Sequence, residues 1–410
     1  MKLTIYFLAF CFVCTAMVSN SAGKVIQESE PSAQQEPAQQ ETDSVQDEVQ
    51  PGTPEIPMYR QMGMNITQAQ FGTTSDGQAV TKFRVSNATG MSVEMIDYGA
   101  TITSVMTPDR NGMTQNITLP CYSMQGYEAC GMYFGCSVGR YCNRIKEGKF
   151  SIDGTEYTLA TNNDPNHLHG GDKGFDKQMW TAEEISSDNS AGVRFTLVSP
   201  DGDEGYPGEV TVMVEYSITS ENELVIDFKA TTTAATHVNL TNHCYWNLAG
   251  AGNGDILGHQ LQIEADKYLP VDETGIPTGE LADVKETAFD FTSYWTVGQR
   301  ISDTPGDPNG YDHCYALRSD SGELALAATV IEPVSGRYME IHTTQPGLQF
   351  YSGNFLDGQE ASGGFPFRSA LCLETQHFPD APNQSEFKST RLNPGETYHQ
   401  KTVHKFAVVR

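Results

Sequence analysis

From residue 64 to the C-terminus, apolar and polar positions alternate along the chain, and short turn signals break the alternation. Residues 209–230 read EVTVMVEYSITSENELVIDFKA. A period of two sends successive side chains to opposite faces of an extended chain. Val210, Val212, Val214, Tyr216 and Ile218 therefore share one face. The pattern turns at Glu221–Asn222 and returns through Leu224, Ile226 and Phe228. Residues 149–159 (KFSIDGTEYTL) repeat this grammar, with Phe150, Ile152, Tyr157 and Leu159 around an Asp153–Gly154 hairpin signal. Residues 324–344 repeat it again around Ser335–Gly336. No stretch keeps a helical period over three turns, and no internal repeat or linker-like break interrupts residues 64–410. The pattern predicts one all-β domain over 64–410, a large antiparallel β-sandwich, with its chemistry carried on loops.

The first sixty residues differ. Lys2 precedes an uncharged apolar run at residues 3–18, followed by SNSAG. This arrangement predicts a signal peptide over residues 1–22, cleaved near Ser21–Ala22, and hence export to a periplasmic or extracellular space. The run is short for a membrane span of about 20 residues, although retention as an N-terminal anchor stays open. Residues 23–60 are rich in Gln, Glu, Pro and Ser. Such a segment buries too little apolar surface to offset its ordering entropy and is expected to be disordered.

Charge and cysteine narrow the function. The 410 residues carry 52 acidic and 25 basic side chains, a formal charge of −27. That field disfavours nucleic acid and anionic membrane surfaces as partners. Beyond the leader lie Cys121, Cys130, Cys136, Cys142, Cys244, Cys314 and Cys372. Their spacing fits no zinc motif. Their odd number leaves at least one thiol free, with Cys121–Cys130 and Cys130–Cys136 as disulfide candidates.

Seven segments are too polar and irregular for ordinary strand or turn. They are residues 139–145 (GRYCNRI), 166–171 (NHLHGG), 199–208 (SPDGDEGYPG), 241–248 (TNHCYWNL), 310–315 (GYDHCY), 343–354 (TTQPGLQFYSGN) and 372–383 (CLETQHFPDAPN). Singly, each has a bland reading. Asp201 and Asp203 hint at calcium, but Tyr206 stands where that loop needs glycine. Together they supply the imidazoles of His169, His243 and His313, the carboxylates of Asp312 and Glu374, and the guanidinium of Arg144 beside Asn143. They also supply the amides of Asn242, Gln345 and Gln349 and the aromatic faces of Tyr245, Trp246, Phe350, Tyr351 and Phe378. Neutral, hydroxyl-rich ligands call for this mixture, because amides and charged forks pair with hydroxyls and rings cover C–H faces. No phosphate loop, nucleophile elbow or dinucleotide fingerprint is present.

In order and spacing these segments resemble the aldose 1-epimerase (galactose mutarotase) family across residues 64–410. The most telling are NRI at 143–145, LHGG at 168–171, DGDEGYPG at 201–208, VNLTNH at 238–243, DH at 312–313, TTQPGLQFY at 343–351 and LETQ at 373–376. The resemblance implies a galactose mutarotase-like supersandwich that interconverts α and β anomers of free hexoses, with no cofactor and no metal. It implies His243 as the general acid on the ring oxygen and Glu374 as the general base on the anomeric hydroxyl. It also implies that Arg144, His169, Asp312 and Gln349 hold sugar hydroxyls, with Asn143 beside them. A His/Glu pair can add one proton and remove another near neutral pH. The partner is then a small aldose, and the chain a monomer or homodimer.

Tyr141–Cys142, Cys244, Trp246 and His237 depart from the family's usual residues beside the site and bear on sugar preference. Cys142, Cys244 and Cys314 flank site residues, which raises the expectation that oxidation there slows turnover. Three other functions compete. A sugar-binding module would not need both proton-transfer groups. A glycoside hydrolase normally needs two carboxylates. A hexose-phosphate epimerase would need more cations than Arg144.

Overall fold

The computed structural model describes residues 63–360 and 363–410. The predicted signal peptide and tail lie outside the described residues. The predicted hairpins form where the turn residues allow them. Strands Lys149–Ile152 and Thr155–Thr158 pair across Asp153 and Gly154, both at positive φ (51° and 83°). Strands Val210–Thr219 and Glu223–Thr232 pair around Asn222 at φ 63°. An amide side chain tolerates this left-handed geometry better than a branched one.

Two large sheets dominate the described residues. A nine-stranded sheet runs, in spatial order, through Thr181–Ser186, Ser190–Ser199, Val210–Thr219, Glu223–Thr232, Tyr398–Val408, Arg337–Thr343, Ala325–Ile331, Gln260–Ile263 and Trp295–Thr296. A six-stranded sheet runs through Tyr245–Trp246, Leu371–Gln376, Gly347–Tyr351, Asp312–Leu317, Ala265–Tyr268 and Ala282–Asp283. A five-stranded meander covers residues 65–116. Every paired strand is antiparallel.

Strand alternation builds the core. Val212, Val214, Ile226, Phe228, Ile341 and Phe406 of the nine-stranded sheet join Trp246, Tyr315, Leu348, Phe350, Leu371 and Leu373 of the six-stranded sheet in one buried cluster. Each large aliphatic or aromatic chain so buried contributes about 1.5–3 kcal/mol. The single short helix described, Met124–Ala129, begins at Ser123, whose hydroxyl accepts from the Gly126 amide. At six residues it is too short to leave a helical period in the sequence. No helix of the described residues is long and apolar enough to cross a membrane. All seven cysteines beyond the leader are free, so neither expected disulfide is present. The Cys121 and Cys130 thiols instead share a hydrogen bond, which pushes Cys121 up and pulls Cys130 down.

Candidate active site

One face of the six-stranded sheet packs into the core, and the other floors a cavity. Register decides which residue goes where. Asp312 pairs with Tyr351, Gln349 with Glu374, and Tyr245 with Cys372. The side chains of Asp312, Tyr351, Glu374 and Tyr245 line the cavity. Their neighbours Phe350, Leu373 and Trp246 point into the core.

His243 immediately precedes the Tyr245–Trp246 strand and is held by a neighbouring loop. Its amide donates to the Cys136 carbonyl (3.0 Å), and its carbonyl accepts from the Gly135 amide (2.9 Å). The LHGG loop approaches from the opposite chain direction, on the short ladder that pairs His167–Leu168 with Arg144–Ile145. His169 and Asn143 both have positive φ, 50° and 61°. Their backbones interlock, His169 N–H donating to the Asn143 carbonyl at 3.1 Å. Gly170 is required because a Cβ there would lie 1.9 Å from the Gly139 carbonyl oxygen. The 201–208 segment supports this loop from behind: Glu204 accepts from the amides of Asp172 and Lys173, and the Tyr206 hydroxyl meets His167 Nε2 at 2.7 Å.

The cavity measures about 390 Å³, within the range of small-molecule sites. Arg144, His169, His243, Asp312 and Glu374 converge in it, with Asn143 at the wall. His243 Nε2 lies 3.7 Å from Glu374 Oε1. Arg144 Nε donates to Asn163 Oδ1 (3.0 Å), which fixes the guanidinium. Gln349 sits behind the lining and donates from Nε2 to Asp312 Oδ1 at 2.7 Å. Three buried polar atoms lack any protein partner: His243 Nδ1, Glu374 Oε2 and Gln349 Oε1. Buried polar groups normally find partners, so the first two mark positions that suit ligand hydroxyls.

Burial sets the protonation. It lowers the His243 pKa to about 4, and it raises that of Glu374 well above the carboxylate range, helped by nearby Asp312 and opposed by Arg144. Burial thus favours the uncharged form of each member, and the proton affinities of the pair are set together. His169 is also driven neutral, by burial and then by the cationic form of His243 and by Arg144.

His169, His243 and Glu374 could each offer one ligand atom to a shared metal, these atoms lying within 4.8 Å of one another. The trio does not suit a cation. His169 Nδ1 accepts the Asn143 backbone N–H at 3.1 Å. The neutral ring must then carry its proton on Nε2. Neither nitrogen has a free lone pair, and His169 is instead a fixed donor. The calcium reading gains no support: among the described residues Asp201 and Asp203 join no cluster of three ligand atoms, and their carboxylates bond the Gly208 amide and the Ser199 hydroxyl.

Some residues of the polar segments lie elsewhere. Trp246 is in the core against His404 and Phe406, so it does not cover the cavity. Asn242 binds the carbonyls of Gly135 and Cys136, and Gln345 pairs with His377. His313 is buried against Phe289 and Tyr268. Conversely, the cavity gains Tyr133, Asn162, Asn163 and Phe355, none of which stood out in the sequence. Asn162 and Asn163 precede NHLHGG directly, and the run of amides there was the available signal.

Comparison with known proteins gives a consistent picture. A family model described as aldose 1-epimerase matches residues 81–405. Galactose mutarotase from Bos taurus is 46% identical over 349 residues, covering 84% of this chain and 99% of that protein. Aldose 1-epimerase from Escherichia coli (strain K12) is 39% identical over 337 residues, covering 81% and 96%. Among solved structures, galactose 1-epimerase from Lactobacillus acidophilus NCFM matches with a TM-score of 0.75 at 26% identity, covering 85% of this chain and 100% of that one. An aldose epimerase homologue from C. elegans matches at 0.71 and 30% identity, covering 80% and 98%.

Proposed function

The chain belongs to the aldose 1-epimerase family, and from that premise we propose that His243 and Glu374 carry out its interconversion of α and β anomers of free aldoses. The observation that carries the reading is the 3.7 Å approach of His243 Nε2 to Glu374 Oε1 inside one cavity. Glu374 takes the proton from the anomeric hydroxyl while protonated His243 gives one to the ring oxygen. The C1–ring-oxygen bond breaks, C1 becomes a carbonyl carbon, and both protein groups end uncharged. Rotation about C1–C2 then presents the other carbonyl face. Closure runs the proton transfers backward: neutral His243 reclaims the proton from the new hydroxyl, and Glu374 returns its own to the carbonyl oxygen.

Burial favours the uncharged pair, and that is the state reached when the ring opens. The bound sugar supplies what the starting state needs, a hydroxyl donating to Glu374 and a ring oxygen accepting from His243. Around this axis His169 Nε2–H donates, Asp312 accepts, and Arg144 is held by Asn163 toward the same space. Arg144 is the one cationic side chain lining the cavity among the described residues, which suits a neutral hexose such as galactose or glucose better than a sugar phosphate. Export through residues 1–22 is part of the same proposal and rests on the apolar run behind Lys2.

Polarimetry of freshly dissolved α-D-galactose and α-D-glucose tests the chemistry. His243→Gln and Glu374→Gln should each lower kcat by about 10²–10⁴-fold, the usual contribution of a general acid or base. A variant that keeps the wild-type rate removes that residue from the mechanism.

A further inference from the structure

Two tyrosine rings lie near-parallel to the His243 ring. Tyr245 lies near-parallel to it, centroids 5.0 Å apart and planes 9° apart. Tyr133 lies near-parallel as well, at 5.9 Å and 13°. Both line the cavity, and both rings are held from outside. Phe134 and Tyr351 meet the Tyr245 ring edge-on at 4.7 Å and 6.0 Å. Tyr133 adopts φ 58°, a left-handed conformation unusual for an aromatic residue.

The surrounding structure over-determines that conformation. The Tyr133 carbonyl accepts from the Cys136 amide at 3.3 Å and its thiol at 3.2 Å. Gly135, two residues on, bonds both the His243 carbonyl and the Ile102 amide. A Cβ on Gly135 would lie 1.9 Å from the Ile102 carbonyl oxygen. Backbone strain held this firmly beside a reacting group points to a role in the chemistry.

We propose that Tyr133 and Tyr245 are positioning residues that clamp the His243 ring between them and favour its protonated form during ring opening. The electron-rich face of an aromatic ring attracts a cation, and the attraction strengthens where water is excluded. The charged and titratable groups around His243 are Glu374 at Nε2 and Asp312 in the same cavity on one side of the balance, and His169 at 5.2 Å, Arg144 across the cavity and Lys177, whose ammonium lies 5.6 Å over the Tyr133 ring, on the other. Two ring faces thus add to the stabilisation that the carboxylates give the buried imidazolium. The proposal rests on the reading of His243 as the acid.

The test compares Tyr133→Phe, Tyr133→Leu and replacement of Tyr133 by pentafluorophenylalanine, which keeps the ring's shape but withdraws electron density from its face. Tyr133→Phe should keep kcat within about twofold, while Tyr133→Leu should lose about tenfold in kcat with KM little changed. The pentafluoro ring should fall with Tyr133→Leu. His243→Gln serves as the reference. If it is inactive while all three Tyr133 variants match Tyr133→Phe, the clamp is overturned and the acid reading stands. If it is fully active, the acid reading itself is overturned. A loss confined to KM would assign Tyr133 to sugar contact and overturn the clamp. Should Tyr133→Leu not fold, the two ring-bearing variants decide alone.

Discussion

Two buried side chains, His243 and Glu374, face each other across 3.7 Å. Burial pushes their affinities in opposite directions, His243 down to about 4 and Glu374 well up. The His243 shift places the acid limb of the kcat/KM profile, measured by polarimetry, near pH 4 rather than at the usual imidazole titration of about 6.5, and the Glu374 shift places the second limb above the ordinary carboxylate range. Gln349 acts one step back, steering Asp312 through a 2.7 Å bond. Gln349→Ala should cost about tenfold in kcat/KM while leaving the alkaline limb in place; a shift of that limb would put Gln349 in the proton path. The thiols beside the site are poor targets. Cys142, Cys244 and Cys314 are buried, and desolvation is the first cause raising each of them, so little thiolate is available. Contrary to the expectation raised by their position, iodoacetamide should leave mutarotation unchanged unless the protein is first unfolded.

Strands and loops decide which of the sequence's suggestive residues meet. The hairpins were legible because their turns need only local information, such as Asp153–Gly154 and Asn222 at positive φ. The family resemblance pointed to His243 and Glu374, and they do face one cavity. Neighbours were harder to place, because a strand sends adjacent residues to opposite faces. Asp312 and Tyr351 face the cavity, which consigns His313 and Phe350 to packing; the same alternation separates Tyr245 from Trp246. Tyr133 was illegible for another reason: a loop distant in sequence brings it in, and its own segment has no polar or periodic signature, while Phe355 lies one residue beyond the polar 343–354 segment. The tight 139–143 and 169–171 turns carry a prediction at this scale. Gly170→Ala would drive a methyl into the Gly139 carbonyl. It should displace His169 and lower the thermal midpoint together with activity, whereas Gly154→Ala, with open space around it, should lose stability only through its positive φ.

Across the whole chain, many histidines are buried and uncharged. Desolvation lowers His167, His237, His259, His313 and His377 to about 4, and His404 to about 3. In the unfolded chain they would bind protons near 6.5. The unfolded state thus binds more protons between these values, and stability falls as pH drops through 6.5 toward 4. Chemical denaturation should show a midpoint that declines steadily across that window. Activity lost in the same range through unfolding should return slowly on neutralisation, while loss through the catalytic pair alone should return at once. The acidic surface, at −27, adds self-repulsion at the alkaline end.

One backbone amide has a wider consequence. By giving its hydrogen to His169, Asn143 removes one ligand from an apparent chelating trio and leaves that ring a donor. Traces of zinc or copper in growth medium or buffer should not poison turnover, and EDTA should bring no gain. The cavity is, in effect, proofed against contamination by the orientation of a single peptide unit.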